Sequence, residues 1–152
     1  MTTASFRPAT AADLPAIVAL LADDDLGRTR ETAGPQLAPC YSAAFAAIEA
    51  DPNQVLAVAE VDGAVVGCLQ LSFIPGLSLS GMWRGQIESV RIASDRRGSG
   101  LGHKMIDWAI EVCRKRGCGL VQLTMNKTRK DTLRFYKSLG FEATHEGFKL
   151  ML

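Results

Sequence analysis

RRGSGLGHKMIDWAIEVCRKRG, residues 96–117, is the stretch on which the fold turns. Glycines at 98, 100 and 102 stand between an apolar strand-like run and a long amphipathic pattern, and two arginines enter the turn. Behind them Leu101, Met105, Ala109, Val112 and Cys113 recur near the 3.6-residue period of a helix, with charges between. Lys115 and Arg116 suit its last turn, and Gly117 is a stop signal. The amides at a helix start have no internal partner and lie at the positive end of the dipole, while glycines let a ligand approach closely. That combination favours an anion, most often a phosphate.

Working outward, IESVRIA ahead of the loop alternates like a strand, and GLVQLTM after the helix, residues 119–125, is a second one. Strand, loop, helix and strand predict a right-handed parallel crossover. Two familiar phosphate loops do not fit. A P-loop needs a glycine five residues after Gly98, and so does a dinucleotide fingerprint, but position 103 is His; no acid follows about twenty residues on for a ribose. An unrelated nucleotide-binding α/β protein is therefore disfavoured.

What is present is RxxGxG, from Arg97 through Gly100 to Gly102. With LRFYKSLGF at 133–141, where a short helix ends in Phe-Tyr and Gly-Phe opens the next segment, the chain resembles the GCN5-related N-acetyltransferase (GNAT) family. Both motifs stand in the family's order, and the likeness extends over the chain. It implies an α/β fold: a mixed, mostly antiparallel sheet flanked by helices, in the order β-α-α-β-β-β-α-β-α-β.

The remaining elements agree with that order. Residues 3–8 read as an edge strand, and Thr10 with Asp13 as a capping box for a helix whose face is Leu14, Ile17, Val18 and Leu21. DDDLGRTRETAGPQLAP reads as loop and PCYSAAFAAIEAD as a second helix. VLAVAEV and AVVGCLQLSF flank Asp62-Gly63, a strong hairpin signal. IPGLSLSGMWRG is a loop by its glycine, serine and proline, and FKLML is expected to close the sheet as a last strand.

A chain of 152 residues fits one domain, here 1–152, which buries about 68–70% of its unfolded surface. The formal net charge of +1 gives no electrostatic footprint for nucleic acid and no basic patch for an anionic membrane. Four cysteines without a CxxC pair predict reduced thiols and no zinc or other metal site. With neither a signal-like N-terminus nor an apolar run long enough to span a bilayer, the expectation is a cytoplasmic protein whose partners are small molecules or local epitopes. Oligomeric state is left open, a homodimer included.

Acetyl transfer to an amine sets two proton problems. The amine arrives as an ammonium with a pKa of about 10 and no lone pair, and the departing thiolate, of pKa about 8.5, leaves more readily when protonated. Glu88 is the expected base: strand alternation puts it on a face with Val90 and Ile92, where desolvation raises a carboxylate's pKa. A salt bridge, or a bulge turning Glu88 to solvent, is the competing reading. Tyr136 of the FYxxxGF match is the expected acid, with a core aromatic as the alternative.

The resemblance supplies the remaining assignments. Acetyl-coenzyme A (acetyl-CoA) is the expected co-substrate, its pantetheine arm paired with backbone groups of Val90, Arg91 and Ile92. Its pyrophosphate is expected on Arg97, Gly98, Ser99, Gly100, Leu101, Gly102 and His103. Asn126 holds pantetheine or the tyrosine loop, although Arg129 stands where the family commonly has Asn and is an alternative phosphate contact. For the acceptor the candidates are Asp25, Tyr41, Trp83 and Arg84, with Asp23 and Asp24 extending an acidic run able to attract a cationic amine, although more often such a run is a solvated helix end. Function is then acetyl-CoA-dependent N-acetylation of a primary amine by direct transfer; the alternative is an acyl-CoA-binding module without turnover.

Overall fold

The computed structural model describes residues 3–152. Five strands form one sheet in the order β1-β2-β3-β4-β5: Ser5–Pro8, Gln54–Val61, Ala64–Ile74, Arg84–Ile92 and Leu120–Leu123. The first four pair antiparallel. Along the β4–β5 boundary the Gly119 backbone amide donates to the Trp83 carbonyl at 2.8 Å, and the side-chain Nε2 of Gln122 donates to Gln86 Oε1 at 2.7 Å. Both numbers rise together, so this pair is parallel, as a strand-helix-strand crossover requires. The longer helices are α1 (Leu14–Ala22), α2 (Pro39–Ala50), α3 (Leu101–Lys115) and α4 (Lys130–Ser138), and a single turn at Ser78–Gly81, with Leu79 and Ser80 at positive φ, interrupts the stretch expected to be loop. By packing the chain divides into Met1–Gln122 and Leu123–Leu152.

Local chemistry explains most element boundaries. Asp62 and Gly63 take φ of 52° and 77°, the two left-handed positions of a type I′ turn, and join β2 to β3. The Thr10–Asp13 capping box forms, with the Thr10 amide donating to Asp13 Oδ2 at 2.7 Å. At the end of α3, Gly117 has φ 77°, its amide donates to the Arg114 carbonyl, and the Cys118 amide donates to the Cys113 carbonyl, a Schellman ending. Only the last expected strand fails: residues 141–152 have no regular structure, and Phe148, Leu150, Met151 and Leu152 are exposed. FKLML alternates adequately, but alternation makes a strand only where a neighbouring edge accepts it.

One sheet face carries Leu69, Leu71, Phe73 and Ile87, all at most 2% exposed, against the buried stripe Leu101, Met105, Ile106, Ala109 and Cys113 of α3. A Cβ at Gly85 would stand 2.4 Å from Cys113 Sγ, so a glycine there lets α3 lie close against β4. The other face is covered by α1, whose Ile17 and Leu20 pack with Val58 and Cys68. Cys68, Cys113, Cys118 and Cys40 are free thiols; burial pushes Cys68 up to about 12, which keeps it neutral.

Arg7 on β1 ties this assembly together. Its guanidinium donates to Glu60 Oε2 at 2.8 Å and to Asp13 Oδ2 at 2.8 Å, and Asp13 is 8% exposed. Arg7, then the Thr10 hydrogen bonds, hold the Asp13 carboxyl well below the usual carboxylate range against the opposing effect of burial. Arg7→Ala is expected to destabilise the fold, because it leaves the buried Asp13 carboxylate without its guanidinium partner. Since the folded-state pKa of Asp13 is depressed, its contribution is present above about pH 4 and lost as the solution is acidified further. Chemical denaturation at pH 7 and pH 3 checks this: the wild-type advantage over Arg7→Ala should shrink at the lower pH.

Candidate active site

The sequence RRGSGLG folds as a left-handed elbow. Gly98 and Gly100 have φ of 76° and 80°, and Gly100 is the N-cap residue of α3. A Cβ at either position would meet nothing within 4 Å, so the backbone conformation, rather than local crowding, calls for glycine. The helical ladder starts with the Lys104 amide on the Gly100 carbonyl at 3.2 Å. The preceding amides have no partner within the helix and concentrate its positive end at the elbow. Leu101 is buried as the first core residue of α3, Gly102 is half-buried, and Ser99 and His103 are exposed. Ser99 Oγ donates to the Arg96 carbonyl at 2.6 Å and tightens the turn.

Arg97, expected to meet a phosphate directly, uses its side chain on the protein. Nε donates to the Ile92 carbonyl at 3.1 Å, and Nη2 donates to the Asp23 carbonyl at 2.9 Å and lies 3.5 Å from Asp23 Oδ2. Arg97 therefore fixes the elbow to the end of β4 and the end of α1. Arg96 is exposed and 3.5 Å from Asp95 Oδ2.

The end of β4 leads into this elbow. Ala93 donates to Val66 on β3 at 2.9 Å. In an antiparallel ladder the bonding direction alternates, so the backbone of Ile92 points to the opposite edge, as does that of Val90. With Gly119 beside Trp83 and Gln122 beside Gln86, the four-residue β5 accompanies only the first part of the nine-residue β4. The edge at Val90–Ile92 is thus outside the β5 ladder. Arg91 Nη1 donates to the Val90 carbonyl at 2.9 Å, and Arg91 Nε lies 3.4 Å from Asp24 Oδ2 without hydrogen-bond geometry.

Between the two parts of β4 the register slips. Glu88 opposes Gln70 and Arg91 opposes Cys68, so Ser89 and Val90 together face a single residue of β3, and Ser89 takes φ 54°. This bulge overturns the expected face: Glu88 does not alternate with Val90 and Ile92 but shares a face with Gln70, Gln86 and Arg91, and it is exposed. The apolar surroundings expected for Glu88 are absent; its carboxylate is exposed.

The acidic run is likewise committed. Asp23 accepts from the Ser94 amide at 3.1 Å besides meeting Arg97, and Asp24 accepts from the Gly27 amide at 2.6 Å besides meeting Arg91. The expectation that these two carboxylates draw in a cationic amine is corrected: they anchor the end of α1 to the β4 strand and the elbow. Asp25 is exposed and 3.5 Å from Arg28. Tyr41 on α2 donates to Glu31 Oε2 at 2.7 Å and accepts from the Thr32 amide, which clamps the α1–α2 loop; Glu31 raises its pKa. Trp83, 37% exposed, and Arg84 open β4. No hydrogen bond or ion pair among the described residues links Asp25 or Tyr41 to Trp83 or Arg84. The aspartate–arginine pairs are separated by about seventy positions, so no local sequence signal announces them.

In the second unit Tyr136 is 9% exposed on α4, edge-on to Phe135 at 5.1 Å and to Phe141 at 5.8 Å. The Phe141 amide donates to the Tyr136 carbonyl, so the Gly140 turn folds the FYKSLGF segment on itself. Asn126 Oδ1 accepts from the Thr128 amide and hydroxyl at 3.0 and 2.8 Å, which uses its carbonyl in a local turn, and Arg129 caps α4, half-buried. His145 is exposed beside Thr144.

No group of three or more His, Cys, Asp or Glu among the described residues has the arrangement of a metal site, and no helix is long and apolar enough to cross a membrane.

Comparison with known proteins shows the family to which this glycine elbow and bulged strand belong. The model of the acetyltransferase (GNAT) family matches residues 18–141, and the chain belongs to that family. It is 34% identical over 104 residues to the aminoalkylphosphonate N-acetyltransferase of Salmonella typhimurium, covering 68% of this chain and 67% of that one. It is also 34% identical to the glucosamine 6-phosphate N-acetyltransferase of Trypanosoma brucei brucei over 59% of each. Among solved structures, a transcriptional regulator from Bacillus halodurans C-125 superposes with a TM-score of 0.96 at 47% identity, covering 99% of this chain and all of that one. An acetyltransferase of Trypanosoma brucei superposes at 0.79 with 29% identity, covering 99% and 100%. The family is one of acetyltransferases, and these curated relatives are named N-acetyltransferases.

Proposed function

We propose that residues 1–152 form one acetyl-CoA-dependent N-acetyltransferase domain acting in the cytoplasm on a primary amine of a small molecule or peptide. The observation that carries this is the β4 edge at Val90–Ile92 running into the Gly98–Gly100 elbow. An open strand edge offers alternating amides and carbonyls to an amide-rich arm, and the α3 N-terminus offers donors to a pyrophosphate. In this reading Val90, Arg91 and Ile92 hold the arm by their backbone, and Gly98 to His103 hold the diphosphate, with Arg97 bracing the elbow. Asn126 and Arg129 are assigned to the cofactor side through the family motif.

The amine must lose a proton before its lone pair attacks the thioester carbonyl. Glu88, solvated on β4, accepts that proton directly or through water. The new C–N bond forms as the C–S bond breaks, and Tyr136, assigned through the FYxxxGF match, donates its phenolic proton to the departing sulfur. The second proton of the attacking nitrogen then leaves to solvent, giving a neutral amide and free coenzyme A thiol. This chemistry calls on no metal. Asp25, Tyr41, Trp83 and Arg84 are assigned to the acceptor side.

Incubating the purified protein with acetyl-CoA and a panel of primary amines, with release of free thiol followed in time, tests the proposal. Amine-dependent release is the expected result. The name transcriptional regulator carried by the 47%-identical Bacillus halodurans protein favours retaining a second reading, an acyl-CoA-binding module without turnover. Stabilisation by acetyl-CoA with no amine-dependent release across the panel would establish that second reading instead.

A further inference from the structure

The face of the sheet that α1 covers at Val58 and Cys68 changes character further along. Gln54 opposes Ser72, Ser72 opposes Gln86, and Gln86 meets Gln122, giving one row across four strands. In the next row Gln70 opposes Glu88. Gln54 Oε1 accepts from Gln70 Nε2 at 3.1 Å and from Ser72 Oγ at 2.8 Å, which joins the rows. All are half-buried except Glu88, which is exposed. The opposite face of the same strands, at Leu69, Leu71, Phe73 and Ile87, is wholly apolar.

We infer that Gln54, Gln70, Ser72, Gln86, Glu88 and Gln122 form the acceptor-recognition surface, and that it takes a primary amine flanked by hydroxyl groups, an amino sugar or amino polyol. This rests on the acetyltransferase reading above. Each glutamine amide has two N–H donors and a two-lone-pair acceptor, and the three hydrogen bonds among these six side chains use a small part of that capacity. The remainder pairs donor and acceptor within a few ångströms, which matches a hydroxyl, itself donor and acceptor. The hydrogen bonds also fix the rotamers, so little side-chain freedom is lost on binding. Glu88 is the one carboxylate among these six side chains, and of the arginines on the same face Arg91 is turned to Asp24 at 3.4 Å, so Glu88 is the place for the ammonium. Glu88 immediately precedes the Ser89 bulge and the Val90–Ile92 edge proposed for the thioester arm, so an amine at Glu88 is beside the acyl donor. An amine without hydroxyls leaves these amides desolvated and unpaired, which is how a hydrogen-bonding site rejects an apolar analogue.

Glucosamine and cyclohexylamine, each a primary amine on a six-membered ring, differ in the groups that matter. The expected kcat/KM is at least about tenfold higher for glucosamine. Gln86→Leu and Gln122→Leu should each raise the KM for glucosamine about fivefold, the loss of one neutral hydrogen bond, without raising the KM for acetyl-CoA or for cyclohexylamine. If leucine at 86 unfolds the protein, Gln86→Asn, one methylene shorter, should show the same direction. Equal efficiency on the two amines, including none on either, or an unchanged glucosamine KM in the variants, overturns the inference. Thermal melts with acetyl-CoA on the same samples separate the two failures. No stabilisation and no turnover removes the acetyltransferase reading, whereas stabilisation with turnover of cyclohexylamine alone removes only this acceptor class.

Discussion

Tyr136→Phe should lower kcat about 100-fold while leaving the Kd for acetyl-CoA unchanged, the span of a positioned general acid being about 100- to 10,000-fold. The substitution removes one oxygen from a ring packed edge-on to Phe135 and Phe141, and those contacts persist in phenylalanine. The fold of residues 130–141 therefore survives, and a loss of turnover reports on the hydroxyl. Steady-state thiol release gives kcat, and titration calorimetry with acetyl-CoA gives Kd. An unchanged kcat would assign Tyr136 to packing alone and leave protonation of the sulfur to solvent.

Gly100→Val should abolish acetyl-CoA binding, with Kd raised at least about 100-fold. Two effects act together. A β-branched residue at φ 80° is strained by about 1–2 kcal/mol, which pulls the N-cap of α3 out of the left-handed conformation and turns the elbow amides away from a common centre. The new side chain also projects into open space in front of those amides, where a Cβ meets no protein atom within 4 Å. In a thermal melt at 100 times the wild-type Kd, ligand binding stabilises the wild type by about 2.7 kcal/mol. The variant should show no ligand-dependent shift, and Gly100→Ala, with the same strain and less bulk, should lie between. Full stabilisation of Gly100→Val by acetyl-CoA would take the diphosphate away from this elbow.

The two substitutions also mark how differently the two motifs could be read. RxxGxG announced a conformation, because glycine in the left-handed region is demanded by φ at Gly98 and Gly100. Arg97, however, was read as a phosphate contact and is a brace between Ile92 and Asp23. An arginine has five donors and a long reach, so its partner is set by what the fold brings near it. The acidic run Asp23-Asp24-Asp25 shows the same limit: two of its three carboxylates face arginines and amides far along the chain.

What the sequence determined by itself is everything governed by neighbours within about four positions. That covers the stripe and Schellman ending of α3, the Asp62-Gly63 turn, the Thr10–Asp13 box and the glycine elbow. Tertiary structure alone decided the bulge at Ser89, which moved Glu88 from an apolar face to a polar one, the failure of FKLML to join a sheet, and the alignment of glutamines from four strands into one surface. Those features depend on which residues lie opposite one another across strands. Pairing of that kind is fixed by burial of the whole sheet and by loop geometry, and a slip of one residue reverses every face.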